Sequence, residues 1–316
     1  MRTPHCRRLR ALVALSALLA AAAGGCRVVP AARSRGPAEA RGLDGTLLYP
    51  PPLDDETRRR YEAKLDEARR RYESDPADLD GIVWYGRRTA YLGQYRKAID
   101  IYSNGLSHHP DSAELLRHRG HRYLTIRELV PAIADLERAA RLIEGTEDRV
   151  EPDGLPNARN VPTSTLHSNI SYHLGLARYV KGDFAGALAA YRECLQVSNN
   201  PDMLVASSHW LYMTLRRLGR DAEAARVLEP IHADMDIIEN DGYHRLLLMY
   251  KGRLSPTELM GAAWDALTDA TVGYGIGNWH LYNGRREEAF ALFRRVTDGP
   301  MWPAFGQLAA EAELAR

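Results

Sequence analysis

Along the chain, apolar side chains recur at helical spacing from residue 54 onward. Tyr61, Leu65, Ala68 and Tyr72 share one face of a helix over 54–73 that stops before Asp75-Pro76. The spacing then returns in blocks, and the blocks themselves repeat. Pro76 and Pro110, Gly86 and Gly120, and Ala98 and Ala132 are each 34 residues apart. A helical period nested in a longer one predicts helix pairs stacked on each other, because a single pair cannot bury its apolar face alone. Gly93, Gly182, Gly219, Gly252 and Gly284 fall where the chain must reverse between the two helices of a pair. Such short turns need a residue that tolerates positive φ.

The block positions have physical roles. Gly86, Gly120 and Gly175 let a first helix approach its neighbour, Ala98, Ala132 and Ala187 do the same on the second, and Tyr102, Leu136 and Tyr191 fill the remaining gap. The first block reads Ile82, Tyr85-Gly86, Thr89, Ala98, Tyr102 and Pro110, and the second Leu116, Arg119-Gly120, Tyr123, Ala132, Leu136 and Ala139. The third has Leu174-Gly175, the turn YVKGDFAGALAAY and Leu195. This pattern resembles the tetratricopeptide repeat family. A fourth copy retains Ala224 and Leu228, a weak fifth starts its second helix at Ser255-Pro256, and a sixth carries Gly277, Gly284, Ala289 and Phe293. The resemblance implies an all-α fold, a right-handed superhelical solenoid of stacked helix-turn-helix repeats. Repeats 1–2 would span 77–143 and repeats 3–6 would span 163–300, between an N-terminal capping helix over 53–76 and a C-terminal one over 301–316.

Residues 144–162, EGTEDRVEPDGLPNARNVP, interrupt the array. They are rich in Pro, Gly and charge and longer than an ordinary helix connection. They read either as a mobile surface loop or as a lid folded over the groove, and the loop is preferred.

The N-terminus changes the picture. Four arginines (Arg2, Arg7, Arg8, Arg10) precede an apolar run from Ala11 to Ala23, and SALLAAAAGGC then ends at Cys26. The run is shorter than the roughly 20 residues that cross a bilayer, and its basic start and small-residue end are those of an export signal. The small residues before Cys26 resemble the lipobox of bacterial lipoproteins, with Ala23 where leucine is commoner. That likeness implies a signal peptide over 1–25 and a cysteine carrying acyl chains of the palmitate type, with ordinary cleavage near Ala21-Ala22-Ala23 as the rival. Residues 26–52, lacking any apolar period, read as a flexible tether. The implied location is the bacterial outer membrane, facing the periplasm; the alternative is a soluble periplasmic or secreted protein.

Charge and cysteine content narrow the function. Loss of residues 1–25 takes the formal charge from +1 to −3, and no long basic stripe remains, which argues against nucleic acid as partner. Of the three cysteines, Cys6 would leave with the signal and Cys26 would be acylated. Cys194 is then alone, so no disulfide framework holds the fold.

In the tetratricopeptide family the first helices line a concave groove where partners bind. Carried onto this chain, the groove is expected to show Arg87, Tyr91, Arg117, His121, Asn169, Tyr172, Tyr179, Arg216, Tyr250, Tyr274, Asn278 and Tyr282. Tyr rings supply contact area, and Arg and Asn reach backbone or carboxylate. The clamp of chaperone-tail-binding members is not matched, since Val83, Arg87 and His118 stand in its places. Glu114, His118 and His121 share a helix face but form no zinc motif, and no nucleophile elbow, phosphate loop or dinucleotide fingerprint occurs. The reading is a non-catalytic scaffold without cofactor or metal that binds a protein partner in an envelope assembly. The alternative is an envelope small-ligand or glycan-binding protein using the groove tyrosines.

Overall fold

A computed structural model describes residues 36–262 and 265–316. The signal and Cys26 lie outside the described residues. Among the described residues, a two-stranded hairpin (β1, Ala40–Arg41; β2, Leu47–Leu48) is followed by fourteen helices. A lone helix, α1 (Asp55–Ser74), leads into six helix-turn-helix pairs. The pairs are α2 (Leu79–Tyr91) with α3 (Tyr95–His108), α4 (Ala113–Thr125) with α5 (Leu129–Ile143), and α6 (Leu166–Lys181) with α7 (Phe184–Gln196). They continue with α8 (Pro201–Arg217) and α9 (Asp221–Val227), α10 (Asp241–Tyr250) and α11 (Pro256–Met260), and α12 (Ala266–Tyr282) and α13 (Arg286–Thr297). A last helix, α14 (Phe305–Ala315), follows.

The pairs pack as the small and large positions dictate. The Tyr191 ring lies so close to Gly175 that a Cβ there would stand 2.8 Å from it, and Phe293 approaches Gly277 to 2.7 Å on the same measure. Tyr102 against Gly86 and Leu136 against Gly120 repeat the contact. Any side chain at these glycines would push the two helices of the pair apart. The array is thus an all-α repeat of tetratricopeptide type.

One turn departs from the rule. Thirty-four residues after Gly93 (φ 76°), the equivalent position in the second pair is Arg127, with φ 70°. A left-handed arginine costs about 1 kcal/mol. Its guanidinium accounts for its presence: Nη2 donates to the Trp302 carbonyl at 2.8 Å, and Nε donates to Glu311 of α14 at 3.1 Å.

Three segments differ from the expectation. From Gly36 on, the segment read as a tether is packed. Glu39 Oε2 accepts from the Arg96 amide at 2.9 Å, satisfying an N-terminal donor of α3 that Gln94 leaves uncapped. The Tyr49 carbonyl accepts from Trp302 Nε1 at 2.6 Å. Next, α14 does more than close the end of the array. It packs on α12 and α13 and also reaches α6 across the concave side, with Leu308, Ala309, Ala310 and Ala312 buried. Finally, the 144–162 interruption, for which a mobile surface loop is the preferred expectation, lies against the first helices from Arg149 on. Val150 bridges to Thr165, and Arg87 and Arg88 donate to the carbonyls of Pro152 and Gly154 at 2.8 and 2.7 Å. Pro, Gly and charge in this segment favour turns, but they conceal the arginines across the groove that bind it.

Candidate functional site: a concave face covered at two places

The first helices α2, α4, α6, α8, α10 and α12 turn their inner faces toward a common concavity. The twelve groove residues fall on it in four zones, and two of these are already occupied by the chain itself.

Beneath the 144–165 segment lie Arg87, Tyr91, Arg117 and Asn169. Glu151 reaches down so that its Oε2 accepts from Asn169 Nδ2 at 2.9 Å, while Oε1 stands 3.2 Å from Arg117 Nη2 and 3.4 Å from His118 Nε2. Arg117, only 8% exposed, also donates from Nη1 to His118 Nδ1 at 2.9 Å. Because a guanidinium has no acceptor, that imidazole must take the proton on Nε2; Glu151 Oε1 stands beside both groups as a charge contact without a hydrogen bond to either. Burial, then the Arg117 charge, holds His118 well below its ordinary pKa, so the ring is neutral. Arg87 lies 4.5 Å over the Trp84 ring, and Tyr91 packs against Gly154.

Beyond Asn169 the concavity is open. A cavity of about 410 Å³ is lined by Arg117, His121, Asn169, Tyr172 and His173, with Tyr243, Leu267 and Phe305 opposite. Its floor is held by bonds from behind: Trp210 Nε1 donates to the Tyr172 hydroxyl at 2.7 Å, and that hydroxyl meets Tyr243 Oη at 2.8 Å. His121 and His173 lie 4.2 Å apart, and Phe305 of α14 touches both rings. Enclosure pushes both imidazoles well below their ordinary pKa, so neither carries charge at neutral pH. The charged groups at the cavity are therefore Arg117 and Glu239.

Under α14 the expected groove residues are sealed. Tyr179, Tyr274 and Asn278 are buried and bonded together. Tyr274 Oη and Asn278 Nδ2 both donate to Tyr179 Oη, each at 3.0 Å. Arg217 Nη1 donates to Glu313 Oε1 at 2.6 Å, and Arg316 Nη2 donates to the Val180 carbonyl at 2.6 Å, fastening the helix over them. These three residues are removed from any partner-binding surface. At the far end, Arg216 stacks 4.4 Å over Tyr282 and donates to Tyr212 Oη at 3.1 Å, while Tyr212 stacks on Tyr250 at 4.5 Å. This group packs α8 to α10 and α12.

Glu151, Glu239, Tyr243, Leu267 and Phe305 line the site without having been expected there. Glu151 and Phe305 belong to the interruption and the last helix, which the repeat pattern leaves out. Cys194 borders the cavity, with Sγ 3.1 Å from Ser207 Oγ, and burial pushes its thiol up to about 11. A thiol so raised is a poor nucleophile at neutral pH. Glu114, which shared a face with His118 and His121, pairs instead with Arg149. Among the described residues no cluster of metal-ligating side chains converges, and no helix is long and apolar enough to cross a membrane.

No family model matches the chain, and no curated protein matches it. Several solved structures resemble it in fold. A tetratricopeptide repeat protein from Parabacteroides merdae has 16% identity and a TM-score of 0.47, covering 76% of this chain and 87% of that one. PilW, a type IV pilus biogenesis factor, has 18% identity and a TM-score of 0.43, covering 77% and 88%. YrrB, described as a TPR protein with an unusual peptide-binding site, has 14% identity and a TM-score of 0.42, covering 74% and 92%. At these values the likeness says nothing about what this chain binds.

Proposed function

We propose that the chain is a non-catalytic docking scaffold of the bacterial envelope, exported and anchored through acylated Cys26, with a protein partner held in the open concavity. The observation that carries the reading is the 410 Å³ cavity, where side chains from five first helices converge beside the buried charge of Arg117. A segment entering there meets aromatic and hydroxyl-bearing side chains on a floor fixed from behind by Trp210, so little ordering cost remains on the scaffold side. Burial holds His121 and His173 well below their ordinary pKa, which makes them weak bases, and keeps the Cys194 thiol protonated, which fits a binding role. The glycan reading loses support: Tyr179 and Tyr274 lie under α14, and the Tyr172 hydroxyl is already shared with Trp210 and Tyr243. On this reading the acyl chains place the body at the outer membrane, facing the periplasm.

A photo-crosslinking residue at Leu267, 52% exposed on the cavity rim, tests the proposal in intact cells against the same residue at Val130, 69% exposed on a second helix. A discrete protein adduct from position 267 alone supports the scaffold. Identical adducts from both, or none from 267, sink it. A Cys26→Ala chain that stays in the membrane fraction would remove the anchor; one that turns soluble in the periplasm agrees with it.

A further inference from the structure

The segment across α2, α4 and α6 is placed as a bound peptide would be. It runs extended, pairs at Val150 with Thr165, and is met by the groove at three points. Glu151 enters a receptor made of Arg117, His118 and Asn169. Arg87 and Arg88 then take the carbonyls of Pro152 and Gly154, contacts that read backbone and tolerate varied side chains. The Tyr91 ring leaves no room for a Cβ at Gly154. What holds the segment is therefore polar: between residues 144 and 162 only Gly154 is buried, while Val150, Leu155 and Val161 stand exposed. A stretch with so little apolar burial is inexpensive to lift, and a second segment making the same bonds can replace it. The receptor favours a carboxylate, since the Arg117 guanidinium is buried in the wall and Glu151, 3.2 Å away, is the countercharge beside it.

We propose that this part of the groove is a receptor for an extended acidic segment of a partner protein, with a glutamate followed by proline and, two residues on, glycine, and that Glu151–Gly154 occupies it in cis until such a segment displaces it. The inference rests on the scaffold reading and sharpens it, adding the chemistry of the partner and a built-in competitor. The competitor acts through effective concentration. A tethered segment is present at roughly millimolar concentration, so a free one must overcome that before it binds.

The test uses the chain with residues 149–156 replaced by eight Gly and Ser residues and, as probe, a fluorescent peptide of sequence RVEPDGLP. Saturable binding at least about tenfold tighter than to the intact chain is expected. The same peptide with Gln in place of Glu should bind at least about fivefold more weakly, and Asn169→Ala in the replaced chain should weaken the parent peptide. If the replaced chain does not fold, Gly154→Leu in the intact loop serves instead, since a side chain there runs into the Tyr91 hydroxyl and Arg87 and dislodges the segment, while Arg117, His118 and Asn169 are not touched by it. No saturable binding to a folded variant, equal binding to the intact chain, or indifference to the glutamate overturns the inference. Should it fail while Leu267 still yields its adduct, the scaffold reading stands and only the receptor is lost.

Discussion

Two coverings of one concave face use the same chemistry to opposite ends. In each, a glutamate from outside the repeats meets an arginine of a first helix: Glu313 of α14 on Arg217 at 2.6 Å, and Glu151 on Arg117 at 3.2 Å. Around Glu313, 3% exposed, α14 buries Leu308, Ala309, Ala310 and Ala312, and Arg127 holds the helix again through Glu311. Around Glu151 there is no apolar anchor. The two pairs are buried to a similar degree, but the one under α14 is covered by a helix docked through apolar side chains, whereas the one under the loop is covered by a single segment without such an anchor. An ion pair is therefore part of the core or part of a latch according to what surrounds it, and its distance alone does not say which.

The sharpest way to break this contrast is Glu313→Ala. Arg217 would keep its charge beneath α14 without a countercharge at Glu313, left with a hydrogen bond to Asn278 at 3.3 Å and the face of the Phe184 ring. Removing one member of a buried pair costs about 3 kcal/mol or more, which should appear as a large drop in the urea midpoint with an unchanged slope. Glu313→Gln, which keeps an acceptor for Arg217, should recover part of it. An Ala variant as stable as the parent would mean that α14 is only resting on the array.

Acid supplies the next largest effect. Burial holds His118, His121 and His173 well below the ordinary imidazole pKa, and His209 down to about 3. In the unfolded chain each titrates near 6.5, so below that pH the unfolded state binds protons that the folded state does not. Stability is then complete above about pH 6.5 and falls as the pH drops, by about 2 kcal/mol at pH 5 from His209 alone. Unfolding free energies at pH 7 and pH 5 should show this slope, and His209→Gln should flatten it. A parent chain equally stable at both values would mean that water reaches these rings. Because Phe305 of α14 rests on His121 and His173, the first region to loosen in acid should be the α14 end.

Which parts of this were legible in the sequence follows from how local each one is. The pairs were legible because a glycine and the ring that fills its space, such as Gly175 and Tyr191, lie within one repeat and recur at a fixed period. The expected groove residues share positions on the first helices for the same reason. What covers the face was not legible. Tyr179, Tyr274 and Asn278 look like groove residues in any single repeat and become core only because α14 crosses back to α6. The run Ala309-Ala310 with Ala312 suits close packing, but small residues do not name the surface packed against. Glu151 sat in a stretch whose Pro, Gly and charge describe a turn equally well when its partners, 34 residues before it and 18 after it, are not in view. Arg127 was the missed clue. A long cation at a turn-glycine position has to do something a glycine cannot, and here it holds the last helix.

The smallest effect is the one that separates the two coverings most cleanly. Replacing residues 149–156 removes Glu151 from Arg117, the same kind of loss as Glu313→Ala, yet it opens the groove at the same stroke. Arg117 then faces water, and its hydration stands in for the lost carboxylate, so the penalty of a sealed charge does not arise. Since the segment contributes almost no apolar burial, the expected loss of stability is below about 1 kcal/mol. Chemical denaturation of this chain beside Glu313→Ala makes the comparison directly. A loss comparable to that of Glu313→Ala would mean that the loop is as integral as α14 and that no partner could exchange with it.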